Sequence, residues 1–484
     1  MKLKDLLKNL EIVEINADLE QEIGGISYDS RNTKLGDAFF AIVGFESDGH
    51  RFIPMAADKG AAAVICQKAP EIDIPYVIVK DSRLGLALAS RDFFGNPAGQ
   101  MKVIGITGTN GKTTTTYLLK HMLESKLGAK VGLIGTNGNM IGDEFIHSER
   151  TTPESYELQL LFREMLDAGC THVVMEVSSH SLYLNRVAGI DYDIGVFTNL
   201  TQDHLDFHKT MEEYAKAKAI LFSMCKDGCM NMDDVWFDDI SKNAKCRVFT
   251  YSTENEAASL CAKNIQLSAA GVSFTAVTDE ACETIKLAIP GRFSVYNALG
   301  VIACGLKLGM SLKDCADAMA EAHGVKGRME VVPTDGNYTI LIDYAHTPDA
   351  LENALKALRS NDDGRIVVLF GCGGDRDRTK RPIMGKIAAE NADFVIVTSD
   401  NPRTEEPQEI INEILGGMQE SETPFAVICD RVEAIQWVID NHEENDVILL
   451  AGKGHEDYQV VGHEKHHMDE REIVAEHIEK RKKQ

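Results

Sequence analysis

TGTNGKTTTT, residues 107–116, follows the apolar run MKVIGI (101–106) and opens a stretch of helical pattern. A glycine-rich turn carrying a lysine and threonines therefore stands where a strand passes into a helix. Such a turn aims backbone N–H groups and a helix N-terminus at phosphate oxygens, lets Lys112 reach the β/γ-phosphates, and offers the Thr113 hydroxyl to Mg²⁺. The general phosphate-loop pattern has glycine six residues before the lysine; here that position is Ile106, flanked by Gly105 and Gly108. A plain strand-to-helix turn is the alternative, but the strand, the Gly-Lys-Thr and the helix fall in the order a phosphate site requires.

Outward from this loop, apolar β-branched runs alternate with helical patterns in two blocks, the signature of parallel sheets covered by helices. The first contains MKVIGI, VGLIG near 131, THVVMEV at 171 and DIGVFTN at 193; the second contains TILIDYA near 339, RIVVLFG at 365, DFVIVTSD at 393, PFAVICD at 424 and DVILLAG at 446. Residues 230–290 lose the rhythm and read as an irregular or antiparallel insertion. The Gly, Asn and Pro cluster in FFGNPAGQ closes a smaller unit before residue 98. The reading is an α/β chain of three domains, 1–98, 99–330 and 331–484. The middle one is a mostly parallel, phosphate-loop-type sheet and the last is Rossmann-like. GCGGD (371–375) lacks the third glycine of a dinucleotide fingerprint, which argues against NAD.

At 484 residues the chain is long enough for about three domains, which excludes a single small binding module. Its 44% hydrophobic and 26% charged residues describe an ordered protein. With 50 Lys+Arg against 75 Asp+Glu the formal charge is −25, which repels nucleic acid. Asp5, Lys8 and Glu11 interrupt the N-terminus before a secretory apolar segment forms, and no run approaches the ~18 residues of a membrane span. The 11 cysteines, scattered without a CxxC pair, read as reduced core residues of a cytoplasmic protein.

Glu176 in MEVSSH stands at the end of an apolar strand, and His204 in TNLTQDHLDFH lies just beyond another, where open parallel sheets present functional groups. With Thr113 they supply oxygen and imidazole ligands from the ends of three strands. In MEEYAKAKAILF, Met211, Tyr214, Leu221 and Phe222 form a helical stripe on which Lys218 also falls, whereas Lys216 does not. An inward lysine is costly unless paired or neutralised, and a neutral amine reacts with CO₂ to give a carbamate. A lysine snorkelling to the surface is the alternative.

GTNGKTTT, TTPES, MEVSSHSL, NLTQDHLDFH, YAKAKAILF, GRFSVYN, GRMEVV, IDYAHTPDAL, FGCGGDRDRTKRPIMG, SDNPRTEEP and AGKGHEDYQ, in this order from about residue 25 to 470, resemble the Mur ligases of peptidoglycan synthesis. Within that family the resemblance points to the branch that adds meso-diaminopimelate to UDP-N-acetylmuramoyl-L-alanyl-D-glutamate. It implies a UDP-binding N-terminal domain, a central ATPase domain and a Rossmann-like C-terminal domain that closes over the site. It also implies ATP and Mg²⁺, an acyl-phosphate intermediate, and a cytoplasmic role in cell-wall synthesis, shape and division.

Carried over residue by residue, the resemblance puts Gly108, Thr109, Asn110, Gly111, Lys112, Thr113 and Thr114 around the ATP phosphates, with Asn297, Arg328 and Asp343 on the nucleotide and His346 in support. Lys112, Glu176, His204 and Lys218 are the catalytic set; Thr113, Glu176 and His204 lie near magnesium, and Lys218 matches the family's carbamylated lysine. Tyr28, Ser30, Phe45, Glu46, Ser47, Thr151, Thr152, Ser178 and Arg186 are implied for the UDP-linked dipeptide. Leu184, two residues before Arg186, departs from the family's frequent glutamine. Arg381, Asp400, Asn401, Pro402, Arg403, Gly452 and Glu456 fit the diaminopimelate pocket.

The chemistry of DNPR gives a reason: diaminopimelate differs from lysine by a second carboxylate, which an arginine binds bidentately. An Asx turn followed by a surface arginine is the structural alternative. RDRTKR (376–381) reads as a clamp for carboxylate or phosphate, and the histidines of GHEKHHMD (462–469) as a solvated loop. No nucleic acid or membrane partner is expected, and the protein is expected to be a monomer. A nucleotide-gated binding protein that kept the fold without turnover is the rival from another class.

Overall fold

The computed structural model describes all 484 residues except 45–46, 149, 269–270, 323, 360–363 and 484, and only the backbone of Asp206. They form two compact units, Met1–Tyr251 and Ser252–Gln484.

The first unit opens with a five-stranded sheet ordered Ile12–Asn16, Tyr76–Val79, Ala63–Cys66, Asp37–Phe40, Gly25–Ser27. Only Ile12–Asn16 runs antiparallel. Leu3, Leu6, Phe40, Ile65 and Leu86 fill its core. The larger sheet of this unit has the order Arg247–Ser252, Cys225–Asn231, Tyr192–Phe197, Lys102–Thr107, His172–Glu176, Val131–Gly135, then Gly138–Ile141 and Glu144–Ile146. The first six strands are parallel and the last two antiparallel. Runs such as VGLIG and YDIGVF are buried along their whole length, as strands covered on both faces must be. Gly105 is required in the central strand, because a Cβ there would come within 2.8 Å of the Tyr192 ring. The register sets Glu176 beside Ile106 and Phe197 beside Thr107, so three strand ends converge at the glycine loop.

In the second unit Leu260–Ser268, Gly271–Val277 and Cys282–Leu287 form an antiparallel meander. The insertion expected over 230–290 is thus antiparallel from Leu260 onward, whereas Arg247–Ser252 still continues the parallel rhythm. A six-stranded sheet follows, ordered Glu330–Val332, Thr339–Asp343, Val447–Ala451, Ile366–Phe370, Phe394–Val397, Phe425–Val427, parallel except for its first strand. All five runs of the second block are strands, and the α/β reading holds. GHEKHHMD is not a loop: Tyr458–Val461 and Glu464–His467 pair as a hairpin whose turn begins at Gly462, at φ 60°.

Among the described residues no helix is long and apolar enough to cross a membrane. All 11 cysteines are free thiols; Cys282 and Cys429 are exposed and Cys246 half-buried, against the expectation that all are core.

Candidate functional site

The helix Lys112–Leu127 starts at Gly111, whose φ of 85° favours glycine and turns the loop under the first helical N–H groups. The loop is clamped from the neighbouring strand end. Thr198 Oγ1 donates to Asn110 O at 2.7 Å, and Asn199 Oδ1 accepts the Asn110 N–H at 2.9 Å. The Asn199 carbonyl accepts the Thr109 N–H at 2.9 Å. A Cβ on Gly108 would sit 1.9 Å from Thr198 Oγ1, so only glycine permits this approach. No motif singles out Thr198 and Asn199, although TNLTQDH (198–204) places them at a strand end. Lys112 Nζ lies over the loop, donating to Gly108 O and Thr109 O at 3.0 and 2.8 Å.

Glu176 is 1% exposed, and its carboxylate is fully directed. Oε1 accepts the Thr113 hydroxyl at 2.9 Å and the Thr136 N–H at 3.0 Å, while Oε2 accepts the Thr136 hydroxyl at 3.0 Å. Thr136 extends the set to Thr151, hydroxyl to hydroxyl at 3.0 Å. The Thr152 hydroxyl donates to Glu176 O at 2.8 Å and accepts the Ser178 N–H at 3.2 Å. The structure thus joins Thr113, Glu176, Thr151, Thr152 and Ser178, and adds Thr136, which no motif singled out. Among the described residues no group of three or more His, Cys, Asp or Glu side chains gathers as a metal cluster. A hydroxyl with one buried carboxylate is nevertheless the hard-oxygen set that suits Mg²⁺, which completes its shell with phosphates and water.

His204 stands apart from that hydrogen-bonded set, in left-handed conformation at φ 54°. Its ring lies 4.9 Å from that of His180 and 6.2 Å from that of Tyr214, and Nε2 is 3.4 Å from Asp203.

Lys218 points inward as its stripe predicts and is 1% exposed. Nζ donates to Gly108 O at 2.7 Å and lies 4.5 Å from the Tyr214 ring centroid. Among the described residues no carboxylate pairs with it. Burial, reinforced by the neighbouring Lys112 charge, pulls its amine well below the ordinary lysine range. Burial also pushes the Tyr214 phenol up to about 12, and that hydroxyl stays within 3.3 Å of Thr109 Oγ1.

A cavity of this unit, about 750 Å³, is lined by residues 24–29, Thr33, Asp37, Phe93, Tyr156 and Glu157 among others. Tyr28 donates to Glu157 Oε1 at 2.7 Å across it, and burial raises both groups' pKa values. Ser30 is buried with its hydroxyl toward Met55 Sδ. The Ser47 hydroxyl is enclosed with no hydrogen-bond partner among the described residues; Phe45 and Glu46 lie outside them. Arg186 Nε sits 2.9 Å from Glu154 Oε1, close in distance though not aligned as a hydrogen bond. Arg150 and Arg83 also reach Glu154, at 2.9 and 3.6 Å, so one carboxylate faces three guanidiniums. Leu184 is buried.

In the second unit the DNPR and GKGHE segments meet around Lys453, which is 0% exposed. Its Nζ donates to Asn401 Oδ1 at 2.6 Å and Tyr458 O at 2.8 Å, and pairs with Asp400 at 3.1 Å and Glu456 at 3.2 Å. Asn401 also donates to Glu456 at 3.0 Å. A Cβ on Gly452 would lie 2.8 Å from Asp400 Oδ2, and one on Gly374 would collide with Pro402 O. Arg403 is held at φ 52°, its Nη1 donating to Gly374 O at 2.7 Å. Among the described residues no carboxylate pairs with it.

The basic run behaves differently from a free clamp. Arg381 is 0% exposed, bonded to Glu405 twice, at 2.8 and 2.9 Å, and to Glu413 at 2.8 Å, while Arg378 also pairs with Glu413. Elsewhere in this unit Asn297 is buried on the helix Arg292–Lys307, and the Arg328 guanidinium lies 5.5 Å from the Tyr344 ring centroid. Asp343 accepts the Met329 N–H at 2.8 Å, and burial raises its carboxyl pKa. His346 is exposed, its Nδ1 2.8 Å from Tyr344 O.

The chain matches three family descriptions: Mur ligase family, catalytic domain, over residues 22–87; Mur ligase middle domain over 106–305; and Mur ligase, glutamate ligase domain, over 327–454. It is 47% identical to a UDP-N-acetylmuramoyl-L-alanyl-D-glutamate--2,6-diaminopimelate ligase of Clostridium tetani, across 99% of each chain. A protein of the same name from Geobacillus thermodenitrificans is 41% identical across 100% of each. A solved structure of a ligase so named superposes with a TM-score of 0.78 at 32% identity, covering 100% of this chain and 99% of the other. The Thermotoga maritima MurF ligase in complex with ADP shares the fold at 20% identity and a TM-score of 0.58, over 96% of this chain and 99% of its own.

Proposed function

The chain belongs to the Mur ligase family, and from that premise we propose that it is the ATP-dependent ligase joining meso-diaminopimelate to the D-glutamate γ-carboxylate of UDP-N-acetylmuramoyl-L-alanyl-D-glutamate, in cytoplasmic peptidoglycan precursor synthesis. The observation that carries the chemistry is the convergence of a glycine-loop helix N-terminus, a fully directed buried carboxylate and a buried lysine without a counter-ion.

A carboxylate is a poor acyl donor until it is phosphorylated. In the proposed sequence its oxygen attacks the γ-phosphorus and ADP leaves. The incoming amine then attacks the acyl carbon of the mixed anhydride, and the tetrahedral intermediate expels phosphate. The loop from Gly108 to Thr114, through the N–H groups at the start of its helix, and the Lys112 ammonium hold the phosphates, while the Thr109 and Asn110 N–H groups stay on Asn199. Thr113 and Glu176, with His204, would hold Mg²⁺, which neutralises charge developing in transfer. Lys218, whose amine burial pulls well below the ordinary lysine range, adds CO₂ through its neutral form and releases a proton to become an anionic carbamate beside Gly108. Asn297, Arg328 and Asp343 keep the nucleotide-contacting role that the resemblance implies, with His346 in support.

Tyr28, Ser30, Phe45, Glu46, Ser47, Thr151, Thr152, Ser178 and Arg186 are proposed for the UDP-linked dipeptide. Three guanidiniums around Glu154 leave the positive excess that an anionic substrate needs. For the amino acid, Arg403 receives the distal carboxylate, and Asp400, Asn401, Pro402, Gly452 and Glu456 frame it. Arg381 contributes from inside, by holding Glu405 and Gly373 O. The three functional regions are proposed to divide near residues 98 and 330, in a monomeric protein.

The test is phosphate release with the UDP-dipeptide, Mg²⁺ and ATP, comparing meso-diaminopimelate, L-lysine and no amino acid. Release with diaminopimelate alone is expected. Equal release with lysine overturns the specificity, and none with either amine overturns the ligase reading.

A further inference from the structure

At the end of the parallel sheet remote from the glycine loop, two thiols lie over a pair of glycines beside one aromatic ring. Cys225 begins the strand Cys225–Asn231, and Cys246 directly precedes the strand Arg247–Ser252. These strands are parallel neighbours, with Asp227 opposite Arg247, so the two cysteines enter adjacent strands one residue apart in register. The backbone there is anchored, since the Lys245 N–H donates to Phe222 O at 2.9 Å and the Tyr192 N–H to Met224 O at 2.9 Å.

Two glycines fix where the sulfurs lie. Gly195 and Gly228 are cross-strand partners. A Cβ on Gly195 would meet Cys225 Sγ at 3.0 Å, and one on Gly228 would meet Cys246 Sγ at 2.7 Å. The same hypothetical Cβ atoms would touch neighbouring atoms of the Phe222 ring at 3.3 and 3.1 Å. Both sulfurs therefore occupy the space left by two paired glycines, against one aromatic ring. We propose that Cys225 and Cys246 form a dithiol site that a small-molecule disulfide oxidises to an intramolecular disulfide.

The two thiols are chemically unequal. A hydrogen bond between them lowers the Cys246 pKa and, with burial, raises that of Cys225. Cys246 is half-buried, which leaves it open to reagent, whereas Cys225 is buried at the wall of a cavity of about 760 Å³ that Met101, Cys170 and Lys226 also line. Cys246, the more exposed of the two, is the thiol that attacks first, as its thiolate. It attacks one sulfur of the reagent RSSR, giving Cys246–S–S–R and RS⁻. Cys225 then loses its proton and attacks Cys246 Sγ, expelling the second RS⁻. The balance is two protein thiols plus RSSR to one protein disulfide plus two RSH, the protein oxidised and the reagent reduced. The two exposed cysteines, Cys282 and Cys429, are the internal comparison, because among the described residues neither lies over such a pair of glycines.

The experiment treats the full-length protein with oxidised glutathione, traps free thiols with an alkylating agent and reads intact mass and linked peptides. The expected result is two alkyl groups fewer than on the reduced, alkylated protein, a cross-linked peptide pair containing Cys225 and Cys246, and full reversal by reduced dithiothreitol. Cys246→Ser and, separately, Cys225→Ser abolish that linked pair. Should either variant fail to fold, the wild-type peptide map decides alone. Both cysteines fully alkylated after oxidation, or a linked pair that involves other cysteines, overturns the proposal.

Discussion

Lys218 in the first unit and Lys453 in the second are both removed from solvent, yet they are opposite kinds of buried lysine. Lys453 reaches Asp400, Asn401, Glu456 and a backbone carbonyl at once, an ammonium enclosed by two carboxylates. Lys218 has one carbonyl and the face of a tyrosine, with the like charge of Lys112 nearby. A compensated cation ties chain segments together. An uncompensated one is more readily deprotonated, which favours the nucleophilic amine. The arginines repeat the contrast, Arg381 enclosed by Glu405 and Glu413, and Arg403 holding only Gly374 O. Structure is built with the paired cations, and the proposed chemistry draws on the others.

The largest effect is expected where compensation is absent. Lys218→Met should lower ATP-dependent phosphate release about 10²–10³-fold, the scale of losing one electrostatic group in a reacting centre. It should leave the thermal unfolding midpoint unchanged or raised, since an uncompensated amine is taken out of the interior. A clear fall in that midpoint would show Lys218 to be structural and break the contrast.

Lys453→Met tests the other side. It strands Asp400 and Glu456 without their cation, which costs about 3–5 kcal/mol for a buried pair. Amide hydrogen exchange should accelerate in Val447–Ala451 of the second unit and stay as it was in Lys102–Thr107 of the first. Unchanged exchange in Val447–Ala451 would mean that the buried ammonium carries no structural weight.

Arg403→Ala should reduce kcat/KM for meso-diaminopimelate about 10–100-fold, the value of one charge-assisted bidentate contact, and leave turnover with L-lysine, if any is detected, unaltered. Equal losses for both amines would assign Arg403 to loop geometry, consistent with its positive φ.

What the sequence made legible follows the range of each interaction. Strands such as VVMEV and IVVLF were readable because a parallel strand covered on both faces must be apolar throughout. Thr113 and Glu176 were readable because strand ends are where an open sheet exposes groups, and Lys218 because helical spacing is local. The partners of those groups were not. Thr136 on Glu176, the Thr198–Asn199 clamp, Glu154 among its three arginines and Lys453 beneath DNPR all depend on pairings between residues distant in sequence. Arg381 shows the limit plainly, since a basic run gives no sign of which of its arginines is turned inward until Glu405 and Glu413 are seen around it. In the same way, the cysteines were a scattered count until strand register set two of them over paired glycines.

The smallest effect concerns the compensated arginine and runs through pH. The Arg381 guanidinium holds the Glu405 carboxyl at about 2, below its ordinary value near 4.5. A carboxyl depressed in the folded state contributes stability above its unfolded pKa and loses that contribution as pH falls through the folded one. Wild type should therefore exceed Glu405→Gln in stability near neutral pH by a constant margin. The margin should shrink between about pH 4.5 and about pH 2 and vanish below. Glu405 keeps some solvent exposure, which screens the pair and makes this margin small beside that of Lys453. Acid titrations of the two proteins by circular dichroism read it directly. A margin that persists below pH 2 would mean that Glu405 acts through hydrogen bonds available to glutamine's neutral counterpart, the protonated acid, and that charge compensation is not what holds Arg381 inside.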